Sequence, residues 1–533
     1  MTSSAGAGAA APAARRSASV AVIGAGAAGL AAARELLREG HAPVVFEQAA
    51  EPGGVWVYTD ATDADALGRG AAAGRVHSSM YVGLRTNLPR EVMGFTDLPF
   101  TPAGIAAAGG ASADGRRFPG HGEVLAYLRA YAARHGLAGA VRFGARVTRA
   151  APLWPVGGGG GAGGAGAPVT AGCGPRWAVT VEEQRGSGGV ETREQFDALV
   201  VCNGHYSATN LPDVEGAAAF PGLQMHSHNY RRGWAGGRDR WRPDQFAGQV
   251  VAVVGASNSG EDLCREIAGA AARVVICARS WKNAAWGADG SPFGPRANIE
   301  RRGMISRLRP DGGAEFESGA PVAAVDAVVY ATGYRYEFPF LEGAAAADAD
   351  ADAGAAGGRL LSTAGQRVCP LYRHMFAPHL APTLAFIGLP WKVVPFPMFE
   401  LQSRLVARLM SGAAALPSAQ EMAADAEAFY ARLAAEGVPQ RWTHMMGDQQ
   451  WAYNEWLADV AGPGAPRLPP WRAAMYAATG ASKRSHPEDY RWGPRGGLGE
   501  SDRRLLPRIC LKQEAAAEPG GVHQWQQPSP RGG

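Results

Sequence analysis

Short apolar runs of strand type alternate along the chain with longer stretches whose apolar positions follow a helical spacing. This alternation is typical of α/β proteins, in which a strand is followed by a helix that packs on the sheet. Two units of this kind are especially clear, at 20–47 and 249–279. In each of them an apolar strand runs directly into a glycine-containing turn and then a helix. The pattern predicts an α/β protein that uses one design twice.

The first unit carries a glycine-rich turn between its strand, 19–23, and its helix. The six residues of the turn are Gly24, Ala25, Gly26, Ala27, Ala28 and Gly29. The first glycine permits the turn, the second lets the backbone approach a pyrophosphate, and the third lets the helix pack on the strand. Free N–H groups and the dipole at the helix start attract phosphates. The turn therefore predicts a dinucleotide site.

An acidic residue about twenty positions after this turn indicates which dinucleotide binds. The second apolar run, 43–46, ends in Glu47, whose carboxylate can hold the hydroxyls of an adenosine ribose. Such an acid suits FAD or NAD and disfavours the 2′-phosphate of NADP. The following Gly54, Val55 and Trp56 resemble a stretch that flavoproteins place against their cofactor, so FAD is favoured.

The second unit has a weaker form of the same turn, after the strand 249–254. It reads Gly255, Ala256, Ser257, Asn258, Ser259 and Gly260, with a serine at the middle glycine position. The partner strand, 273–277, leads into Arg279 and Lys282, which put positive charge where the first unit has an acid. A cation there suits the 2′-phosphate of NADPH. The alternative is that both cations are solvated surface charges.

The two sites suggest how the chain is divided. We predict two dinucleotide-binding, Rossmann-like domains, with the NADP domain inserted into a discontinuous FAD domain. The predicted segments are a disordered leader at 1–18, the first part of the FAD domain at 19–230, the NADP domain at 231–325, the second part of the FAD domain at 326–490 and a disordered tail at 491–533. Two low-complexity stretches, 157–168 and 343–358, are interpreted as surface insertions.

Composition narrows the class of function. The chain of 533 residues has a net charge of only +4 and no long basic block, which favours small-molecule chemistry over nucleic-acid binding. Its six cysteines form no C-x-x-C pair, so neither a dithiol redox centre nor a metal site is expected. No apolar run approaches the roughly 18 residues of a membrane span. We expect a cytoplasmic protein; the alternative is organelle import directed by the short Ala/Ser/Arg leader.

A motif between the two units identifies a family resemblance. Residues 220–230 fit F-x-G-x-x-x-H-x-x-x-[YF], ending in Tyr230. This spacing resembles the identifying motif of the class B flavin-containing monooxygenases, and the final tyrosine is similar to their N- or S-oxidising branch. The likeness extends over about 19–480 and is strongest to the plant-type S-oxygenase (FMO GS-OX-like) group. Its further segments are 76–80, 84–93, 197–206, 330–334, 370–374, 386–391 and 399–404.

The resemblance implies an oxygenase with two cofactors. NADPH would reduce FAD, O2 would add to the reduced ring as a C4a-hydroperoxide, and a soft sulfur or nitrogen of a small molecule would take one oxygen atom. Thr86 and Asn87 match the segment beside the flavin. Asn87 corresponds to the active-site asparagine of the family, whose amide can both donate and accept. His226 is expected to orient the interdomain linker and not to transfer protons.

Other interpretations remain open. A Baeyer–Villiger monooxygenase or an amine N-hydroxylase would share the plan, although Tyr230 favours thioethers and amines over ketones. A disulfide reductase would need a cysteine pair near the flavin, and a nucleotide-binding regulatory protein without turnover is disfavoured by the intact glycines, Glu47 and Asn87. Departures from the family, Ser257 and the loop 283–301, leave substrate choice the least determined property.

Overall fold

The computed structural model describes residues 16–154, 167–185, 188–231, 243–281, 291–294, 296–342, 360–487 and 490–491. The predicted leader up to residue 15, residues 157–166 of the first insertion, the whole second insertion, Lys282 and the tail from 492 lie outside these ranges. Among the described residues, no helix is both long and apolar enough to cross a membrane.

The first sheet is fully parallel, and its strands come from both ends of the chain. They are β1 (Ser19–Ile23), β2 (Ala42–Glu47), β3 (Val141–Phe143), β7 (Ala198–Val201) and β15 (Leu384–Phe386). Their order across the sheet is β15-β7-β1-β2-β3. Side chains of β1 alternate between two apolar clusters, one on each face, which explains why the strand is a continuous apolar run.

The second sheet has the same parallel design. Its strands are β8 (Leu223–His226), β9 (Val250–Val254), β10 (Arg273–Cys277), β11 (Ile299–Arg302) and β14 (Ala327–Tyr330). Their order is β11-β10-β9-β14-β8. Both β8 and β14 lie outside the predicted segment 231–325, so this sheet extends beyond it on both sides. The predicted α/β fold with two such sheets is confirmed.

The remaining strands form smaller antiparallel sheets. They are β4 (Ala145–Leu153), β5 (Arg176–Arg185) and β6 (Gly188–Phe196), which pair as one sheet, and β12 (Ile305–Leu308) and β13 (Ala314–Phe316), which pair as another. The helices are α1 (Ala27–Glu39), α2 (Arg90–Met93), α3 (Pro102–Ala107), α4 (His121–Arg134), α5 (Asn258–Ala268), α6 (Pro395–Ser411), α7 (Ala419–Ala435), α8 (Gln449–Ala461) and α9 (Trp471–Ser485).

Helix packing assembles two units around the two large sheets. Helix α1 packs against α6 in one apolar core, so segments from both ends of the chain share what we call the first unit. Helix α5 covers the second sheet and, with it, forms the second unit. The segment that follows β8 is held by Arg231, which is 1 % exposed and donates to the carbonyl oxygens of Thr59 at 2.8 Å and Ser78 at 2.6 Å.

Candidate functional site

The turn after β1 is closed by the backbone of its neighbour, β7. A Cβ added to Gly24, whose φ is +98°, would lie 2.7 Å from the carbonyl oxygen of Cys202. One added to Gly29 would lie 1.8 Å from the carbonyl oxygen of Gly24. Neither distance admits a methyl group, so both positions require glycine because of backbone contacts alone.

The middle of this turn lies against the predicted flavoprotein stretch. A Cβ on Gly54 would come within 2.9 Å of the Cα of Gly26, and the N–H of Gly53 donates to the carbonyl oxygen of Ala25 at 3.0 Å. Gly54, Val55 and Trp56 form one turn of 3-10 helix there. Two backbone segments therefore pack together here, and neither glycine places a side chain over the main-chain N–H groups of the turn.

Glu47 ends β2 and contacts the same turn. Its carboxylate, 6 % exposed, accepts the N–H of Ala25 at 2.7 Å and the N–H of Ala49 at 2.8 Å. Burial raises the pKa of Glu47, and these hydrogen bonds act in the opposite direction. Each carboxylate oxygen has a second lone pair, so hydrogen bonds from ribose hydroxyls are compatible with both contacts. The acid thus also stabilises the turn.

The second turn repeats the contacts of the first and last glycines of the first turn. Gly255 has φ +110°, and its added Cβ would lie 2.4 Å from the carbonyl oxygen of Ala331; that of Gly260 would lie 1.7 Å from the carbonyl oxygen of Gly255. Ala331 follows β14 as Cys202 follows β7. Their Cβ atoms stand 3.5 and 3.6 Å from the positions that a Cβ would take on Gly260 and Gly29. Both turns thus have the shape of a dinucleotide cradle.

The helices that follow the turns offer unsatisfied N–H groups. Neither α1 nor α5 has a side chain that caps its first turn. Such groups and the helix dipole bind phosphate oxygens. In the second turn Ala256 is half-buried and Ser257, Asn258 and Ser259 are exposed, whereas the first turn is largely covered. Arg279 is exposed and lies two residues beyond β10, at the same edge of the sheet as the turn that follows β9. Lys282 lies outside the described residues.

Asn87 lies in a loop beside α4. The N–H of the preceding Thr86 donates to Pro119 at 2.9 Å, and the Thr86 hydroxyl donates to the carbonyl oxygen of Leu88 at 2.8 Å, so the backbone is held on both sides. The Asn87 side chain is half-buried and has no hydrogen-bond partner among the described residues. Its amide is therefore available to a ligand.

The loop that carries Asn87 also reaches the second unit. The Tyr81 hydroxyl donates to Asp262 of α5 at 3.4 Å, and a Cβ on Gly83 would lie 2.7 Å from a carboxylate oxygen of Glu266. Residues 81–87 therefore run from the α5 surface to the first unit. Asn87 thus lies in a loop that contacts both units.

His226, the last residue of β8, is fully buried. Its Nδ1 accepts the N–H of His228 at 3.0 Å, and its Nε2 lies 3.1 Å from the carbonyl oxygen of Gly333, to which it donates. Burial lowers the pKa of His226 to about 3, so the ring stays neutral at physiological pH. Its two contacts hold together the residues that follow β8 and β14.

Sequence reasoning missed the two residues that close the turns, Cys202 and Ala331. A signal was present, since each follows an apolar strand and precedes a glycine by two positions, at Gly204 and Gly333. The acids of α5 and the cations that contact them were also missed. Those pairs join residues more than two hundred positions apart, and no local pattern marks them.

Known proteins resemble the chain over most of its length. The family model described as flavin-binding monooxygenase-like matches residues 17–294 and 297–461. The flavin-containing monooxygenase FMO GS-OX-like 4 of Arabidopsis thaliana is 42 % identical over 476 residues, 89 % of this chain and 94 % of that protein. FMO GS-OX-like 2 of the same plant is 43 % identical over 458 residues, 86 % of this chain and 87 % of its own length.

A solved structure is similar as well. The S-allyl-L-cysteine S-oxygenase from Allium sativum superposes with a TM-score of 0.78 at 37 % sequence identity. The match covers 94 % of this chain and 100 % of that one.

Proposed function

Because the chain belongs to the flavin-binding monooxygenase-like family, we propose that it oxygenates the sulfur of a small thioether with FAD, NADPH and O2. The observation that carries the choice of sulfur is the 37 % identity, over 94 % of the chain, to a protein that acts as an S-allyl-L-cysteine S-oxygenase. Thioether sulfur suits this chemistry because its lone pair is soft and is not protonated near neutral pH.

Family membership confirms several predictions made from the sequence. The resemblance to flavin-containing monooxygenases, FAD and NADPH as cofactors, and flavin-dependent monooxygenation as the reaction are all properties of this family. When bound, the flavin supplies the redox chemistry and the activation of O2. The protein has to bind and orient the reactants and to exclude water.

The roles of individual residues form the second part of the proposal. The N–H groups of the turn 24–29 bind the FAD pyrophosphate, and Glu47 accepts hydrogen bonds from its ribose. The turn 255–260 binds NADPH, whose 2′-phosphate pairs with Arg279. The Asn87 amide orients the reacting groups between the two cofactors. Support comes from the shapes of the two turns, the uncapped helices and the contacts of the Asn87 loop with both units.

The test is to load purified protein with FAD and to follow NADPH and O2 consumption with S-allyl-L-cysteine, a tertiary amine and a cyclic ketone. We expect the sulfoxide as the main product, formed in proportion to the NADPH consumed. A product from the amine or the ketone alone would contradict the choice of sulfur. A protein that takes up no FAD would contradict the whole proposal.

We also propose that the protein acts in the cytoplasm. The five cysteines of the described residues, Cys173, Cys202, Cys264, Cys277 and Cys369, are all free thiols, as is usual in a reducing compartment. A fluorescent fusion expressed with and without residues 1–18 tests this. Organelle import that depends on those residues would contradict it.

A further inference from the structure

The last described segment of the chain crosses from the first unit to the start of α5. Lys483, near the end of α9, places its Nζ 3.0 Å from the Glu261 carboxylate and donates to the Asn258 side chain, the first residue of α5. Arg491 makes two hydrogen bonds to Asp262, at 2.9 and 3.0 Å. Two cations thus meet two consecutive acids of this helix.

This segment is anchored in the first unit. Arg472 of α9, 3 % exposed, donates to the carbonyl oxygens of Val92 and Gly94, each at 2.8 Å. Tyr490 is 3 % exposed and packs edge-on against Phe118 with 5.5 Å between ring centroids. Lys483 and Arg491, which contact the start of α5, are therefore held in place by the first unit.

The acids of α5 lie near the N-terminus of the helix, where they affect anion binding. Negative side chains near a helix N-terminus stabilise the helix, but they repel an anion that binds to the same end. Glu261 lies in the first turn of α5, where a pyrophosphate at the turn 255–260 would meet it, and Asp262 is the next residue. Helix α1, which serves the other turn, has no acid in its first turn and needs no such correction.

We propose that Lys483 and Arg491 belong to the NADPH site, where they neutralise Glu261 and Asp262 so that the second turn can accept a pyrophosphate. The inference rests on the assignment of NADPH to this turn under the proposed function. Its consequence is that cofactor binding by the second unit requires charges contributed by the first. Both cations act through the acids and are positioning residues.

The experiment titrates NADP+ into the FAD-loaded enzyme and measures Kd by calorimetry. Lys483→Met should raise Kd at least about fivefold, because an uncompensated carboxylate then faces the pyrophosphate. Lys483→Arg, which keeps the charge, should stay within about twofold of the wild type. Adding Glu261→Gln to Lys483→Met should restore binding, because the repulsive charge is removed as well.

The control is Arg467→Met, which removes a cation that pairs with Glu455 at 2.6 Å on the surface of the first unit and should leave Kd unchanged. FAD content and Tm show that each variant is folded. Unchanged binding in Lys483→Met, or failure of Glu261→Gln to restore it, would overturn the inference. If the wild type itself binds no NADP+, or if Gly260→Ala does not weaken binding, the assignment of the turn fails instead.

Discussion

Asn87 combines an accessible amide with a backbone held by Thr86 on one side and Leu88 on the other. A group that can donate and accept is suited to orient both a flavin and a nicotinamide carboxamide. Because the loop is fixed by main-chain contacts, replacing the amide should change the chemistry and leave the fold intact.

We therefore expect Asn87→Ala to bind FAD normally and to consume NADPH. Its yield of oxygenated product per NADPH should fall by at least about tenfold, as when one orienting donor is removed from an active site. The missing product should appear as hydrogen peroxide, measured with a peroxidase-coupled dye. A fully coupled variant would refute the role of Asn87.

Arg279 is the residue we expect to distinguish NADPH from NADH. Arg279→Ala should lower kcat/KM for NADPH about tenfold, because a charge-assisted pair with the 2′-phosphate is lost, and should change the value for NADH by less than about twofold. Arg307→Ala, an exposed cation of β12, is the control. Equal losses with both cofactors would contradict the assignment.

At this scale the sequence predicts residues that act within one strand–turn–helix unit, and the roles assigned to them stay predictions. The glycines, Glu47 and the cation after β10 follow from spacing within one strand–turn–helix unit. Cys202 and Ala331 could not be found in that way, because their contacts depend on which strand lies next to β1 or β9. That adjacency is a property of the whole sheet.

At the scale of elements, the two strand–turn–helix segments share one design but differ in their exposure to solvent. Helix α1 is enclosed by α6, whereas the first residues of α5 face solvent. An enclosed turn favours a cofactor that stays bound, and an open turn favours one that exchanges. This matches FAD as a resident group and NADPH as a substrate that enters and leaves.

Glycine-to-alanine substitutions, which each add one methyl group, should show that the two turns bind different cofactors. Gly29→Ala should abolish FAD binding, and Gly260→Ala should abolish NADP+ binding while FAD is retained, because each added Cβ meets a carbonyl oxygen closer than 2 Å. Gly122→Ala in α4, where a Cβ meets nothing within 4 Å, should change neither. Flavin absorbance and NADP+ titration measure both outcomes, and loss of FAD from Gly260→Ala would contradict the separation.

The central strands β1, β9 and β10 were predictable as elements, and the edge strands β3 and β15 were not. β1, β9 and β10 are continuous apolar runs, whereas β3 and β15 have three residues each and are recruited from distant parts of the chain. The edge strand β8 and the central strand β14 also join the second sheet although they lie outside the predicted segment. A strand of three residues is defined by the strand it pairs with and not by a local sequence pattern.

At the scale of the whole molecule, buried histidines link stability to pH. Burial lowers the pKa of His226 to about 3 and that of His228 to about 4, from 6.5. Below about 6.5 the unfolded chain takes up protons that the folded chain does not bind. The contribution of these two histidines to the free energy of unfolding is therefore greatest above that pH and declines as the pH falls towards 4.

We expect Tm to be lower at pH 5.5 than at pH 7.5, since each buried histidine contributes up to about 1.4 kcal/mol per pH unit in this window. His226→Asn should be less stable at pH 7.5 and should lose less on acidification. His486→Asn, at an exposed position, should keep the wild-type difference. A pH-independent Tm would rule out this linkage.

The cysteine that closes the first turn has a consequence for the durability of the enzyme. Cys202 is 6 % exposed, and burial raises the pKa of its thiol, so the reactive thiolate is not formed. Oxidation of cysteine proceeds through the thiolate and requires access. Under the proposed function, an enzyme that oxygenates sulfur would thus protect the sulfur atom beside its own first turn from the same oxidation.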